Sequence, residues 1–340
     1  MLVVQVRFKD AEKIKQYVLQ HDLWDKHHVV TKDAEYLYFP VKRRFRCTVI
    51  TVYRFINKQL ATVPDKASSL RDLLKKKLSH GEFTKLKTAF DIVGSIAILE
   101  IDHVLEKKEK LIAHAVLQIN SHLKTVVKKV GGHEGEFRLQ RYKVLAGKRT
   151  KETVHKENGV ALKLNIEKVY FSPRLAHERL RIARLVQPRE KVLVMFSGCA
   201  PYPCVIAKNA KPKEIYAVEK NPVGHQYAQE NIQLNKLSQV HVSCGDARTI
   251  VPHLGIVFDR IIMPLPKGAE AFLDVVFPVV KKGTVIHYYD FVLEGEEDTI
   301  TKTIDAIFRQ YTVAYKILQI VHCGQSKPHE LRVCVDIQIK

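Results

Sequence analysis

Past residue 190 the apolar positions fall in short, nearly unbroken runs: KVLVMF, EIYAVEK, VHVSCGD, FDRIIMP and GTVIHYYD. Between them lie segments whose apolar residues recur at helical spacing, PVGHQYAQENIQLNKL, ARTIVPHL and AEAFLDVVFPVVKK. Strands that are apolar on both sides and alternate with helices predict a parallel, doubly wound sheet covered on both faces. The last two runs, AYKILQIVHC and LRVCVDIQI, have no helix between them and are expected to pair as an antiparallel edge. This α/β region is expected to run from 167 to 340.

The first half is patterned differently. Residues 1–60 read as a small α/β unit: a strand (LVVQVRF), a helix (AEKIKQYVLQHD) and two short strands (YLYFPV and CTVITVY). The stretch ATVPDKASS reads as a linker. From 67 to 166 an α+β domain is expected. SLRDLLKKKLSHGEFTKLKTA has helical spacing with a lysine-rich opposite face, IVGSIAILEID reads as a strand and LIAHAVLQINSHLKTVV as a helix. FRLQRYKVLAG and VALKLNI read as strands around a charged turn, KRTKETVHKENG. Basic side chains on such strands suit a platform that grips phosphates, although a solvated face explains any single lysine equally well.

Charge narrows the partners. The 56 Lys and Arg exceed the 36 Asp and Glu by enough to leave a net charge of +20, which favours a polyanion over a neutral ligand. No apolar run is long enough to cross a bilayer, and the N-terminal apolar stretch is too short for a signal peptide, so a cytoplasmic protein is expected. The six cysteines show no CxxC spacing, and His27 and His28 lack partners at ligand spacing. Reduced thiols and no metal are therefore expected.

In a doubly wound sheet the ligand sits beyond the carboxyl ends of the strands. The first run ends in Met195-Phe196-Ser197-Gly198-Cys199-Ala200-Pro201, a turn of small residues in which Gly198 admits close backbone approach. The second ends in Glu219-Lys220, and an acid there can accept bonds from both hydroxyls of a ribose. The third ends in Gly245-Asp246-Ala247-Arg248, where Asp246 can accept from an adenine amino group or simply cap the following helix. In order and at successive strand ends, these positions predict a site for a nucleoside-containing cofactor.

Just upstream stands Val169-Tyr170-Phe171-Ser172-Pro173-Arg174-Leu175-Ala176-His177-Glu178-Arg179-Leu180. This string, with GEFR (135–138), VHKENG (154–159), GDAR (245–248), MPLPKGAEAFL and VIHYYD, closely resembles the archaeal and eukaryotic tRNA (guanine-37-N1)-methyltransferase family over nearly the whole chain. The resemblance implies a class I, Rossmann-like methyltransferase domain behind two smaller N-terminal domains, S-adenosylmethionine as cofactor and tRNA as partner. It implies Glu178 as the base that takes the guanine N1 proton and Arg138 as the cation at O6, with Arg141 one register along the same strand. Arg174, Phe196, Gly198, Glu219, Lys220, Asp246, Ala247, Pro264 and Pro266 are implied at the cofactor, and Tyr170, Arg179 and Arg141 at tRNA. The small N-terminal domain is implied to touch the outer corner of tRNA while the rest engages the anticodon loop, and a monomer is expected. Many members carry Asp where this chain has Val194, and Asn-Leu-Pro where it has Pro264-Leu265-Pro266. The lost Asn leaves backbone carbonyls and Pro266 to orient the base. Two other readings remain at this point: a wyosine-pathway enzyme that moves the aminocarboxypropyl group or methylates a carbon of a tricyclic base, and a tRNA-binding protein without chemistry.

Overall fold

The computed structural model describes residues 1–62, 69–265, 267–327 and 329–340. The chain folds as two compact units, Met1–Lys77 and Leu78–Lys340. Most of the linker-like stretch lies outside the described residues.

In the first unit the strand Leu2–Arg7 pairs antiparallel with both Tyr36–Pro40 and Arg54–Asn57, and Thr31–Lys32 adds a short edge. The helix Ala11–Gln20 lays Ile14 and Val18 against Val4 and Val6. CTVITVY, expected as a strand, is instead part of a loop, and the fourth strand begins after it, at Arg54. Its apolar alternation serves as anchoring: Cys47 and Ile50 plug the small core while Val49 and Val52 face solvent.

The second unit holds a sheet of seven strands. In spatial order they are Val240–Cys244, Glu214–Glu219, Lys191–Val194, Arg260–Met263, Val285–Leu293, Glu330–Ile339 and Tyr315–Lys327. The first five are parallel and the last two antiparallel, as the sequence predicts. Neighbouring residues on one strand face opposite sides: Leu193 and Met195 enter one apolar core, Val192 and Val194 the other. Both faces are thus buried, which is why these strands read as unbroken apolar runs. AEAFLDVVFPVVKK is not one helix. It breaks into short turns, Ala269–Phe272, Leu273–Val276 and Phe277–Val279, because Pro278 cannot donate inside a helix. The amphipathic helix Asp298–Gln310, which buries Ile300, Ile304 and Phe308, precedes the antiparallel edge and was not anticipated.

A four-stranded sheet, in the order Asp91–Val93, Ile96–Leu99, Thr125–Glu134, Leu139–Gly147, belongs to the same unit. IVGSIAILEID is two strands, since Gly94 turns the chain at φ +56° in a space where any Cβ would strike Val154 backbone. The helix Glu109–Ile119 stops before Thr125, where the next strand begins. The lysine-rich segment forms two short helices, Leu70–Leu74 and His80–Thr84, each begun by a serine capping box, Ser69 with Asp72 and Ser79 with Glu82. KRTKETVHKENG is not a turn throughout: Glu152–Glu157 is a strand paired with Val160–Asn165. Its inward residues Thr153 and Glu157 are polar, which disguises the alternation.

Candidate active site

A cavity of about 250 Å³ opens at the carboxyl ends of the central parallel strands, walled entirely by the second unit. Its floor is the turn after Lys191–Val194. Phe196, Gly198 and Ala200 all adopt left-handed φ, at 53°, 56° and 62°. For Phe196 and Ala200 such backbone costs on the order of 1–3 kcal/mol each, so the fold must hold it. Two bonds do: the Ser197 N–H donates to the Val218 carbonyl (3.0 Å), and the Gly198 N–H to Glu219 Oε2 (2.6 Å). The helix Pro201–Asn209 starts directly from this turn, bringing Pro201 and Tyr202 into the wall. Ser197 Oγ is buried there without a hydrogen-bond partner, a donor that a ligand can satisfy.

Glu219 closes the second strand. Its other oxygen accepts from the Asn221 N–H (2.8 Å), and the two backbone bonds leave lone pairs for a ligand. Burial pushes its carboxyl above the usual range, against the pull of those N–H groups. Asp246 caps the helix Ala247–His253 through the Arg248 N–H (2.9 Å) and pairs with Lys220 Nζ (2.9 Å). The Lys220 ammonium, with that helix bond, holds the Asp246 carboxyl below its ordinary value. Phe196, Ala247, Leu265 and Phe272 supply an apolar wall, with the Phe196 and Phe272 rings edge to face at 4.9 Å. A ring-flanking apolar wall, a half-buried acid with spare lone pairs and an orphaned hydroxyl fit S-adenosylmethionine.

GEFR is the tip of the hairpin joining Thr125–Glu134 to Leu139–Gly147. Glu136, Phe137 and Arg138 line the cavity, and Glu136 is ion-paired with Lys220. Arg138, in left-handed backbone, holds its guanidinium 6.0 Å from the Phe291 ring centre. Arg141 lies on the strand, paired with Glu134 (3.2 Å) and away from the cavity wall.

The YFSPRLxxER segment divides its residues. Tyr170 lines the cavity and accepts from Arg332 Nη2 (3.2 Å). Arg174 turns outward to a two-pronged pair with Asp91 (2.8 and 2.9 Å). Arg179 reaches the wall, but its guanidinium is held by Glu157 (2.5 and 2.6 Å) and the Ser172 carbonyl (3.1 Å), so VHKENG serves to anchor it. Glu178 lies behind the wall, 6% exposed, outside the cavity lining. Arg181 grips both its oxygens at 2.7 Å, and the Tyr289 hydroxyl donates to one at 2.5 Å.

Arg181 also bonds Asp336 (2.8 Å), which bonds His287 (2.6 Å). Burial alone would raise the Asp336 carboxyl; His287 and Arg181 outweigh it and hold it far below its ordinary value. Arg260 Nη1 can only donate, so the His287 Nε2 it meets at 2.7 Å accepts, and the one ring proton sits on Nδ1 toward Asp336 in a neutral imidazole. Burial lowers the His287 pKa in the same direction. His287, Cys334 and Asp336 approach one another closely enough to suggest a metal. Arg181 and Arg260 stand against that cluster, and a metal ion there would meet two guanidiniums.

The structure therefore gathers Arg138, Tyr170, Arg179, Phe196, Gly198, Glu219, Lys220, Asp246, Ala247 and Pro264 around one cavity. It leaves Arg141, Arg174 and Glu178 off the wall, while Pro266 lies outside the described residues. Ser197 and Leu265, which belong to the two turns read from the sequence, line the wall as well, and Tyr202 and Phe272 join it unanticipated; Tyr202 follows the glycine turn directly and could have been inferred from it.

Three family models match the chain: the TRM5/TYW2 methyltransferase domain over residues 153–317, the TYW2 N-terminal domain over 70–150, and the tRNA methyltransferase 5 N-terminal domain over 4–46. A tRNA (guanine(37)-N(1))-methyltransferase, Trm5b of Pyrococcus abyssi, is 36% identical over 99% of both chains. The complex of aTrm5 with tRNALeu superposes with a TM-score of 0.72 at 29% identity, covering 100% of each chain. TYW2 of Methanocaldococcus jannaschii, solved with AdoMet, gives 0.56 at 28% identity over 74% of this chain and 99% of its own. Among the described residues no helix is long and apolar enough to cross a membrane.

Proposed function

This chain belongs to the TRM5/TYW2 methyltransferase family, and from that premise we propose that it methylates N1 of guanine at position 37 of tRNA. It is an S-adenosylmethionine-dependent tRNA methyltransferase. The observation that carries the finer reading is the cavity, where the cofactor-type acids Glu219 and Asp246 share one wall with the GEFR tip.

In this reading Glu219 accepts bonds from the ribose hydroxyls, Asp246 accepts from the adenine amino group, and the Ser197 hydroxyl finds its missing partner on the ligand. Bound S-adenosylmethionine supplies an electrophilic methyl group. Guanine N1 is protonated at neutral pH, so a base must take that proton; Glu178 is the carboxylate for this role. Arg138, in the cavity wall, stabilises negative charge as it moves toward O6. The match of residues 4–46 to the tRNA methyltransferase 5 N-terminal domain favours methyl transfer over aminocarboxypropyl transfer.

The first unit is assigned to the outer corner of tRNA. It carries Lys42, Arg43, Arg44 and Arg46 exposed on one loop, which suits phosphate contact. Deleting residues 1–55 is expected to weaken activity on intact tRNA more than on an anticodon stem-loop; equal loss on both would remove that role.

The deciding experiment presents transcripts with G or A at position 37 to enzyme and cofactor labelled separately in its methyl and carboxyl carbons. Methyl label in the G transcript alone, mapped to N1, is the expected result. Carboxyl label in RNA would assign the chain to aminocarboxypropyl transfer.

A further inference from the structure

The carboxylate expected to take the substrate proton does not touch the cavity in which the substrate reacts. Two phenols connect them. Tyr202 lines the cavity wall, and its hydroxyl donates to the Tyr289 hydroxyl at 3.1 Å. Tyr289, fully buried behind it, donates to Glu178 Oε1 at 2.5 Å. We propose that Tyr202 and Tyr289 form a proton relay that carries the N1 proton from the cavity to Glu178. This rests on the reading of Glu178 as the base, and deepens it.

Three features suit the pair for that task. Both bonds point inward, so the Tyr202 oxygen keeps a lone pair for an incoming N–H while each phenolic proton already faces the next acceptor. Burial drives both phenols far above the ordinary range, so they stay protonated and conduct rather than store charge. The third feature is the charge behind Glu178. Arg181 is shared by two carboxylates, Glu178 and Asp336, and His287 beyond them is neutral because its Nε2 accepts from Arg260. Arg260, which also meets His287, is balanced by Glu190, so three carboxylates and two guanidiniums leave one negative charge in this cluster, which is a place for one proton. Once Glu178 takes it, Arg181 still has Asp336, so no buried guanidinium is left unpaired.

The step balances. The N1–H bond breaks as N1 bonds to carbon; its proton goes to the Tyr202 oxygen, the Tyr202 proton to the Tyr289 oxygen, and the Tyr289 proton to Glu178 Oε1. The methyl donor leaves with the electron pair of its sulfur–carbon bond. Tyr202 is then a catalytic residue, and Tyr289 and Arg181 act through others.

Tyr202→Phe and Tyr289→Phe keep both rings and remove one hydroxyl each. Each is expected to slow single-turnover methyl transfer about 100-fold, with the double variant no slower than the slower single one. Cofactor affinity and tRNA affinity should stay at the wild-type values, while the lost buried hydrogen bond lowers the melting midpoint by a few degrees in each. In wild type, the rate should fall along a bowed curve as the deuterium fraction of the solvent rises, because several protons move at once. A wild-type rate in either Phe variant beside a slow Glu178→Gln would remove the relay and leave Glu178 acting directly. A wild-type rate in Glu178→Gln would remove the base reading itself. Slowing that comes with lost cofactor affinity, or a linear deuterium dependence, would also overturn the relay.

Discussion

Glu219, half-buried, and Glu178, buried, are carboxylates of the same unit, yet they are held in opposite ways. Glu219 ends a parallel strand and is fixed by backbone N–H groups of Gly198 and Asn221, which leaves its outer lone pairs facing the cavity. Glu178 sits on the helix Ala176–Leu185 and is fixed by side chains, Arg181 and Tyr289, that occupy its oxygens from behind the wall. A backbone-held acid is positioned by the fold itself. A side-chain-held acid depends on partners scattered over the chain, 111 residues away for Tyr289, and its reach into the cavity is theirs to give.

The sharpest way to break this contrast is Glu178→Gln. It is expected to cut single-turnover methyl transfer by about 10²–10⁴-fold with cofactor affinity intact, because it removes a base but no cavity wall. Equal loss of cofactor binding would place Glu178 in the cofactor site. Glu157→Ala should come next: it strands the buried Arg179 guanidinium and is expected to destabilise the fold by about 3–5 kcal/mol in denaturant titrations. Glu219→Ala is expected to weaken cofactor binding by about 10–100-fold by calorimetry, since it removes charge-assisted bonds to two hydroxyls. Unchanged affinity would move the pocket elsewhere.

Two smaller effects sharpen the electrostatics. The Asp336 carboxyl is depressed in the folded state, so its ionisation stabilises the fold above the ordinary carboxyl value of 3.8 and that contribution fades as pH falls below it. Asp336→Asn should therefore lower the melting midpoint clearly at neutral pH and progressively less toward pH of about 3. A pH-independent loss would mean that packing, not charge, is what the residue supplies. Glu136→Ala removes an exposed partner of Lys220 and is expected to change cofactor affinity only slightly, with the difference vanishing in high salt.

Legibility followed the same division. The parallel strands, their antiparallel edge and the acids at their ends were readable, because a sheet buried on both faces must be apolar throughout and its turns must be small. CTVITVY misled because loop residues that plug a core can alternate as a strand does, and KRTKETVHKENG misled because Glu157 is charged yet faces inward to Arg179. Arg138 and Arg141 could not be told apart by spacing. The hairpin tip carries Arg138 to the cavity, while Arg141 stays on the strand with Glu134.

By itself, the order of residues determined what repeats locally: the doubly wound sheet, the left-handed glycine turn at Gly198, Glu219 and Asp246 at their strand ends, and a charge balance suited to RNA. These follow from neighbours within one strand or turn, where periodicity and backbone geometry act directly. Only the tertiary structure decided which side of the wall Glu178 occupies, that Asp336 shares its arginine, and that two tyrosines stand between it and the cavity. Those contacts join residues up to 155 positions apart, and their partners are chosen by packing that no local pattern encodes.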